Sequence, residues 1–392
     1  MAKRPQVERI GIIGGGQLAW MMAAGGQVLG LELWVQTPSE ADPAVAIAHK
    51  TILGPVADAT ITADLATHCD VITFENEFID LPALRQLEAS GTQFYPQLDC
   101  LAPLLDKYDQ RQYCDRLDLP SPPFATLHSQ SDLPTLPTKV KTLGLPLALK
   151  TRRHGYAGQG TFNLDTLEAV ESTWRELGYQ PVLLEAFVAF EKELAVMVAR
   201  SQSGEVVVYP VVETEQIEQV CRRVIVPARV SASVAERVSA IATKLVNSLG
   251  VVGIFGIELF LTSEGEVLIN EIAPRTHNSG HYTLDACVTS QFEQQLRAVS
   301  GQLLGSAALT SQGAIMVNLL GTEDTPAGET SDYAERREAV AAIPNAHLYW
   351  YGKSQSRIGR KLAHVTVLTD GINDDTAVAE IIQSIESLWY TS

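Results

Sequence analysis

Short apolar runs recur along the chain, separated by turn-forming clusters, and each run predicts an element. Residues 7–13, 31–35 and 71–74 read as buried strands, and residues 20–29 have helical character. Strand, glycine turn and helix in that order predict a Rossmann-like first unit, to about residue 100. Residues 104–111 are helical in pattern, and Leu119-Pro120-Ser121-Pro122-Pro123 is a rigid connector. Further runs at 145–150, 183–188 and 193–198 predict strands of a central unit to about residue 300. Runs at 314–320 and 363–368, with an amphipathic helix over 375–388, predict a smaller β-rich unit over 301–392. The fold class is therefore α/β and α+β in three parts.

The most informative pair of runs is 255–261 and 267–272. Ser263-Glu264-Gly265-Glu266 between them is turn-like, so they predict an antiparallel hairpin. A two-residue turn at Glu264-Gly265 pairs Ser263 with Glu266 and sets Glu258 opposite Glu271. Opposed carboxylates repel, and a hard cation relieves them: Mg²⁺ takes one or two carboxylates plus phosphate oxygens. The bland alternative is a solvated strand face. The residues that follow favour the metal–nucleotide reading, because Pro274 stops the strand and Arg275, His277, Asn278 and His281 crowd one loop suited to an anion. A zinc pair at His277 and His281 is disfavoured, since Pro274 and Gly280 argue against a helix there.

Composition narrows the classes. The 392 residues are 46% hydrophobic and 19% charged, enough for a large core in two or three domains. A formal charge of -17 argues against a general nucleic-acid or anionic-membrane surface. Five scattered cysteines, with no CxxC, indicate neither a disulfide framework nor a zinc site and fit a reducing cytoplasm. No signal core or membrane-length apolar stretch is present.

Three more segments carry chemistry. Gly14-Gly15-Gly16-Gln17-Leu18-Ala19 matches G-x-G-x-x-A and offers backbone N–H groups for a phosphate, but Gln36-Thr37-Pro38 stands where a dinucleotide site wants an acid. Glu75, at the carboxyl end of the third run, is a candidate substrate contact or a turn cap. Lys150 ends a strand and precedes Arg152, Arg153 and a glycine-rich stretch, Gly155 to Gly160, suited to a flap over phosphates or to an ordinary turn. Main-chain groups of Glu185 to Val188 suit an adenine edge, and Glu193 suits ribose hydroxyls.

This order resembles the ATP-grasp superfamily. The blocks Gly14 to Leu18, Thr73-Phe74-Glu75-Asn76-Glu77, Arg152-Arg153-His154-Gly155-Tyr156, Asn270 to His281 and Gly359-Arg360-Lys361-Leu362-Ala363-His364 resemble the 5-(carboxyamino)imidazole ribonucleotide synthases of purine biosynthesis. The resemblance implies a carbon–nitrogen ligase that carboxylates aminoimidazole ribonucleotide with bicarbonate and ATP through carboxyphosphate, commonly as a homodimer. It implies Mg²⁺ on Glu258 and Glu271, and an ATP site of Lys107, Lys150, Gly155, Tyr156, Gly158, Gln159, Gly160, Glu185, Ala186, Phe187, Val188, Glu193, Gln216, Asn270 and Glu271. Arg275, His277 and Asn278 are implied at the bicarbonate and carboxyphosphate. Gln17, Leu18, Glu75, Tyr156, Lys353, Arg360 and Lys361 are implied near the ribonucleotide.

The sequence departs from the pattern at Ala157, usually Asp, at Gln216, expected as His, and at Ala19-Trp20, usually Gly-Arg. Ala273 fills a slot that is often a metal-binding Asn in the wider superfamily. Two other readings remain: a related ligase such as a formate-dependent glycinamide ribonucleotide transformylase, and a NAD-binding oxidoreductase or nucleotide-sensing module built on residues 14–19.

Overall fold

A computed structural model describes residues 7–153, 160–326, 331–353 and 355–390. Strands β1 (Arg9–Ile13), β2 (Glu32–Thr37), β3 (Lys50–Leu53) and β4 (Val71–Phe74) make a parallel sheet in the order β3-β2-β1-β4. Residues of β1 and β4 are buried on both faces, which is why they read as continuous apolar runs. Helices Gln17–Leu29 and Gln291–Ser300 share a core with Ile10 and Ile12 on one face, and Leu65 and Leu84 pack with Ile13 and Ile72 on the other. Strand order reverses between β1 and β4, so a crevice opens at their carboxyl ends, where Gly14–Gly16 and Glu75 lie.

The second sheet is antiparallel: β5 (Phe124–Leu127), β6 (Leu147–Thr151), β7 (Thr161–Leu164) and β8 (Val182–Ala186), in the order β5-β8-β6-β7. Val140, Val170 and Trp174 from two helices close its core over Leu147, Leu149, Val182 and Leu184. The helix before it starts at Lys107, later than the pattern suggested, because the Asp106 carboxylate accepts from the N–H groups of Tyr108 and Asp109 and fixes the cap there.

The third sheet contains β9 (Phe190–Arg200), β10 (Val206–Val208), β11 (Val212–Ile217), β12 (Val220–Val226), β13 (Gly253–Thr262), β14 (Val267–Ala273), β15 (Gly313–Leu320), β16 (Ala346–Trp350) and β17 (Lys361–Thr369). Its order is β14-β13-β9-β11-β12-β15-β17-β16, with β10 added to β9. Pairing of β12 with β15 carries one sheet from the central part of the chain into its last hundred residues. Among the described residues no helix is long and apolar enough to cross a membrane.

Glu258 does face Glu271 across the β13–β14 hairpin, but by another route than a two-residue turn. The N–H of Thr262 donates to Glu266 O at 2.9 Å, which leaves a three-residue loop with Gly265 at φ +79°. That loop shifts every pair by one residue, and a bulge between Leu259↔Ile269 and Glu258↔Glu271 shifts it back at Asn270. As a result consecutive residues, Asn270 and Glu271, are both half-buried, where a regular strand would turn one of them away.

Candidate active site

The opposed carboxylates of β13 and β14 are incompletely answered by protein charge. Glu271 Oε1 lies 3.8 Å from Lys107 Nζ, and Glu258 Oε1 lies 3.7 Å from His277 Nε2. Burial and the neighbouring Glu271 push the Glu258 carboxyl up to about 7. For Glu271 burial acts in the same direction, but Lys107 and Lys150 outweigh it and hold its carboxyl below the ordinary value. Two hard oxygen donors on one face, repelling and half-buried, fit an oxygen-seeking divalent cation that keeps further positions for water and phosphate.

Beside them lies a cluster that the sequence pattern only half revealed. Glu185, on β8, is 2% exposed, and its carboxylate is bound by Lys150 Nζ at 2.5 Å and by Arg111 Nε. Arg111 also donates to the carbonyl of Asn270, while Lys150 donates to Asn270 Oδ1 at 3.2 Å. Burial alone would raise the Glu185 carboxyl, yet Arg111 and Lys150 bring it down to about 2. The side chain of Glu185 is thus spent on holding Lys150 and the bulge. Its neighbours Ala186 and Val188 are half-buried and Phe187 is 45% exposed, so the segment's outer edge is accessible. Arg111 looked like one more charge on a helix; the available signal was its place one turn beyond Lys107, on the helix face that meets the sheet.

Arg152 is held by the protein's own carboxylates, whereas Arg153 stays exposed. Asp106 accepts from Arg152 Nε at 2.8 and 2.9 Å and lies 3.5 Å from Arg153 Nε, and the Arg152 carbonyl accepts from the N–H of Lys107. Gly155, Tyr156, Gly158 and Gln159 lie outside the described residues, as does Ala157. Gly160 is described: at φ +79° it turns back against Thr151, whose Oγ1 would meet an added Cβ at 2.3 Å. Glu193 and Gln216 are brought together across β9 and β11: burial pushes the Glu193 carboxyl up to about 7, opposed by the backbone N–H of Gln216.

The loop after β14 brings His277 beside Glu258 and Arg275 near enough to act on Glu271, with Asn278 next along the loop. Arg275 Nε lies 2.9 Å from Glu77 Oε1. Gln291 clamps the backbone of His277, accepting from its N–H at 2.9 Å and donating to its carbonyl at 2.7 Å. His277 Nδ1 lies 2.9 Å from Ser279 Oγ and 3.4 Å from the Ser279 N–H, which turns Nε2 toward Glu258. Burial, then Arg275, lowers His277 to about 3, which keeps it neutral. Gly256 makes room, since a Cβ there would meet His277 Cβ at 2.5 Å. Asn278 pairs with Asn318 of β15.

At the first crevice the structure corrects the phosphate-cradle reading of residues 14–19. Glu75 Oε2 accepts from the N–H of Gly16 at 2.7 Å and Oε1 from the N–H of Leu18 at 3.2 Å, so a carboxylate of the protein fills the anion position at the helix start. Gly14 and Gly16 admit it, because a Cβ on either would meet a Glu75 oxygen at 2.4 Å. Leu18 has its side chain in the core, whereas Gln17 is half-buried at the rim. Facing this crevice, Lys353 Nζ donates to Lys361 O at 2.7 Å and lies 5.4 Å from the Tyr351 ring centroid; burial, then Arg360, lowers it to about 7. Burial also lowers Lys361, whose charge is felt by Glu258, and Arg360 donates to Gln355 O. Lys361 thus links the basic group around Lys353 to the Glu258–Glu271 pair.

Known families match the chain along most of its length. Residues 7–103 match the ribonucleotide synthetase preATP-grasp domain, 112–292 the ATP-grasp domain and 314–377 the phosphoribosylaminoimidazole carboxylase C-terminal domain. Over 387 residues the chain is 52% identical to N5-carboxyaminoimidazole ribonucleotide synthase of Synechococcus elongatus, covering 98% of this chain and 96% of that one. The chain belongs to the N5-carboxyaminoimidazole ribonucleotide synthase family. An N5-carboxyaminoimidazole ribonucleotide synthetase solved as its ADP complex superposes with a TM-score of 0.88 at 32% identity, over 99% of this chain and 100% of that one. The Aspergillus clavatus synthase, solved with ADP and 5-aminoimidazole ribonucleotide, superposes at 0.87 with 29% identity, over 97% and 99%. This synthase-family chain is an ATP-grasp ligase acting in ATP-dependent carboxylation of 5-aminoimidazole ribonucleotide in purine biosynthesis. The dinucleotide and transformylase readings give way to it.

Proposed function

We propose that bicarbonate attacks the γ-phosphate of ATP beside the Glu258–Glu271 pair, displacing ADP, and that the carboxyphosphate formed there hands its carboxyl group to the amine of 5-aminoimidazole ribonucleotide, releasing phosphate. Lys107 and Lys150 neutralise polyphosphate charge, and residues 186–188 with Glu193 receive the adenosine. Glu258 and Glu271 would hold Mg²⁺, which would supply positive charge against the phosphates. Arg275, His277 and Asn278 hold bicarbonate and the developing anion with preorganised donors. The neutral imidazole gives a hydrogen bond without competing for the cation. Gln17, Lys353, Arg360 and Lys361 receive the ribonucleotide, with Glu75 fixing the glycine turn beneath it. A labile mixed anhydride needs its acceptor close by and water kept out, which suits a cleft built from three sheets.

The observation that carries this reading is the juxtaposition of the unrelieved Glu258–Glu271 pair with the Arg275–Asn278 loop. The five cysteines are free, in keeping with a reducing cytoplasm, and a homodimer is the assembly expected of the reading. Phosphate release from MgATP with bicarbonate tests it. Stimulation by 5-aminoimidazole ribonucleotide, and none by glycinamide ribonucleotide plus formate, is the expected result; the reverse pattern overturns the substrate assignment.

A further inference from the structure

Strand β15 reads Gly-Ala-Ile-Met-Val-Asn-Leu-Leu and every residue in it is buried. One of them, Asn318, is an amide in an apolar strand, disfavoured by strand propensity and costly to bury unless hydrogen-bonded. Asn318 is 0% exposed, and both polar atoms of its side chain are bound, Oδ1 to the loop after β14 and Nδ2 to that loop and to β12.

The polarity of this arrangement is set by the backbone. The carbonyl of Cys221, on β12, can only accept, and Asn318 Nδ2 donates to it at 2.9 Å. That contact turns the nitrogen of Asn318 in a fixed direction. Its second hydrogen then goes to Asn278 Oδ1 at 2.7 Å, and its Oδ1 accepts from Asn278 Nδ2 at 2.9 Å. A flipped Asn278 amide would place nitrogen against nitrogen and oxygen against oxygen. Asn278 is half-buried and keeps one N–H and one lone pair beyond this pair.

We propose that Asn318 is a positioning residue that locks the flip state of Asn278, so that one amide N–H, and not a carbonyl oxygen, is offered to the bicarbonate-derived anion. The inference rests on the assignment of Asn278 to that anion. It gives the β12–β15 junction a purpose in the reaction, since a backbone carbonyl on one strand orients, through a side chain on the next, a donor in the activation loop. Loss of the lock lets Asn278 present its oxygen, which repels the anion.

A double-mutant cycle with Asn278→Ala and Asn318→Leu tests it, reading the KM for bicarbonate and the phosphate released per molecule of carboxylated product; Asn318→Asp, nearly isosteric but unable to donate, runs the same cycle if the leucine variant fails to fold. ADP affinity and thermal unfolding report whether the nucleotide site and the fold persist. The expected result is that each single variant raises the bicarbonate KM about tenfold or more and increases unproductive phosphate release, as loss of a hydrogen bond to a charged group implies. The double variant should be no worse than Asn278→Ala alone. Independent, multiplying effects would show a merely structural role and overturn the proposal, as would an unimpaired Asn318 variant beside an impaired Asn278→Ala; both leave the proposed reaction standing. An unimpaired Asn278→Ala overturns the bicarbonate assignment of Asn278 and the proposal with it.

Discussion

Glu185, buried, and Glu258, half-buried, are glutamates of the same nucleotide-binding core, yet their surroundings set them in opposite states. Glu185 has two cations in contact, and its carboxyl is brought down to about 2. Glu258 has a second carboxylate opposite and a neutral imidazole beside it, and burial pushes it up to about 7. The first charge is satisfied by the protein and holds Lys150, Arg111 and the bulge in place. The second is left for something the protein does not supply. Within one cleft, then, a saturated carboxylate marks scaffold and an unsaturated pair marks ligand chemistry.

The strongest way to break this contrast is Glu271→Gln. Removing one of the two hard donors should lower ATP turnover by about a thousandfold, on the scale of deleting a preorganised charge at a phosphoryl-transfer centre. Because Lys107 and Lys150 favour the ionised Glu271, the same change should also lower ligand-free stability modestly at neutral pH. Phosphate release and thermal unfolding, measured on one preparation, check both halves. Near-normal turnover would return the pair to the solvated strand face that the sequence also allowed.

Much of that contrast was legible in the sequence, though for uneven reasons. Opposition of Glu258 and Glu271 followed from alternation and a turn, but two local departures, the three-residue loop and the bulge at Asn270, had to cancel for it to hold. Neither leaves a clear mark in residue pattern, because Gly265 serves either turn. Arg111 escaped because its partners, Glu185 and Asn270, are 74 and 159 residues away. Glu75 was singled out, but not its burial across the glycine turn, since a G-x-G-x-x-A run looks the same whether a bound phosphate or the protein's own carboxylate fills it. Continuity of the third sheet depends on β12 meeting β15, a long-range pairing with no local signature.

The titration of the two glutamates sharpens the comparison further. With its folded value lowered to about 2, Glu185 stabilises the fold fully above its unfolded value near 4.5, and that stability is lost as pH falls between the two. Glu258 has its folded value raised, so it runs the other way: its burial costs nothing below 4.5, and the cost grows as pH rises through about 7. Glu258→Gln should therefore raise ligand-free stability at pH 8 by about 3 kcal/mol and change it little near pH 4.5. Urea denaturation across that range checks the slope. A uniform gain at every pH would mean that packing, not charge, limits this position.

The smallest effect separates the turn from the bulge. Gly265 stands at φ +79°, and a Cβ there would meet nothing within 4 Å, so Gly265→Ala adds left-handed strain without a clash. The expected cost is about 1 kcal/mol. Turnover should be unchanged, because the bulge that sets Glu271 opposite Glu258 is held from the other side, by Lys150 on Asn270 Oδ1 and by Arg111 on the Asn270 carbonyl. Denaturation midpoints together with the ATP rate read the two separately. If the alanine variant loses turnover in step with stability, the turn and not the Glu185 cluster sets the register, and the division of labour between the satisfied and the unsatisfied charges fails at its point of contact.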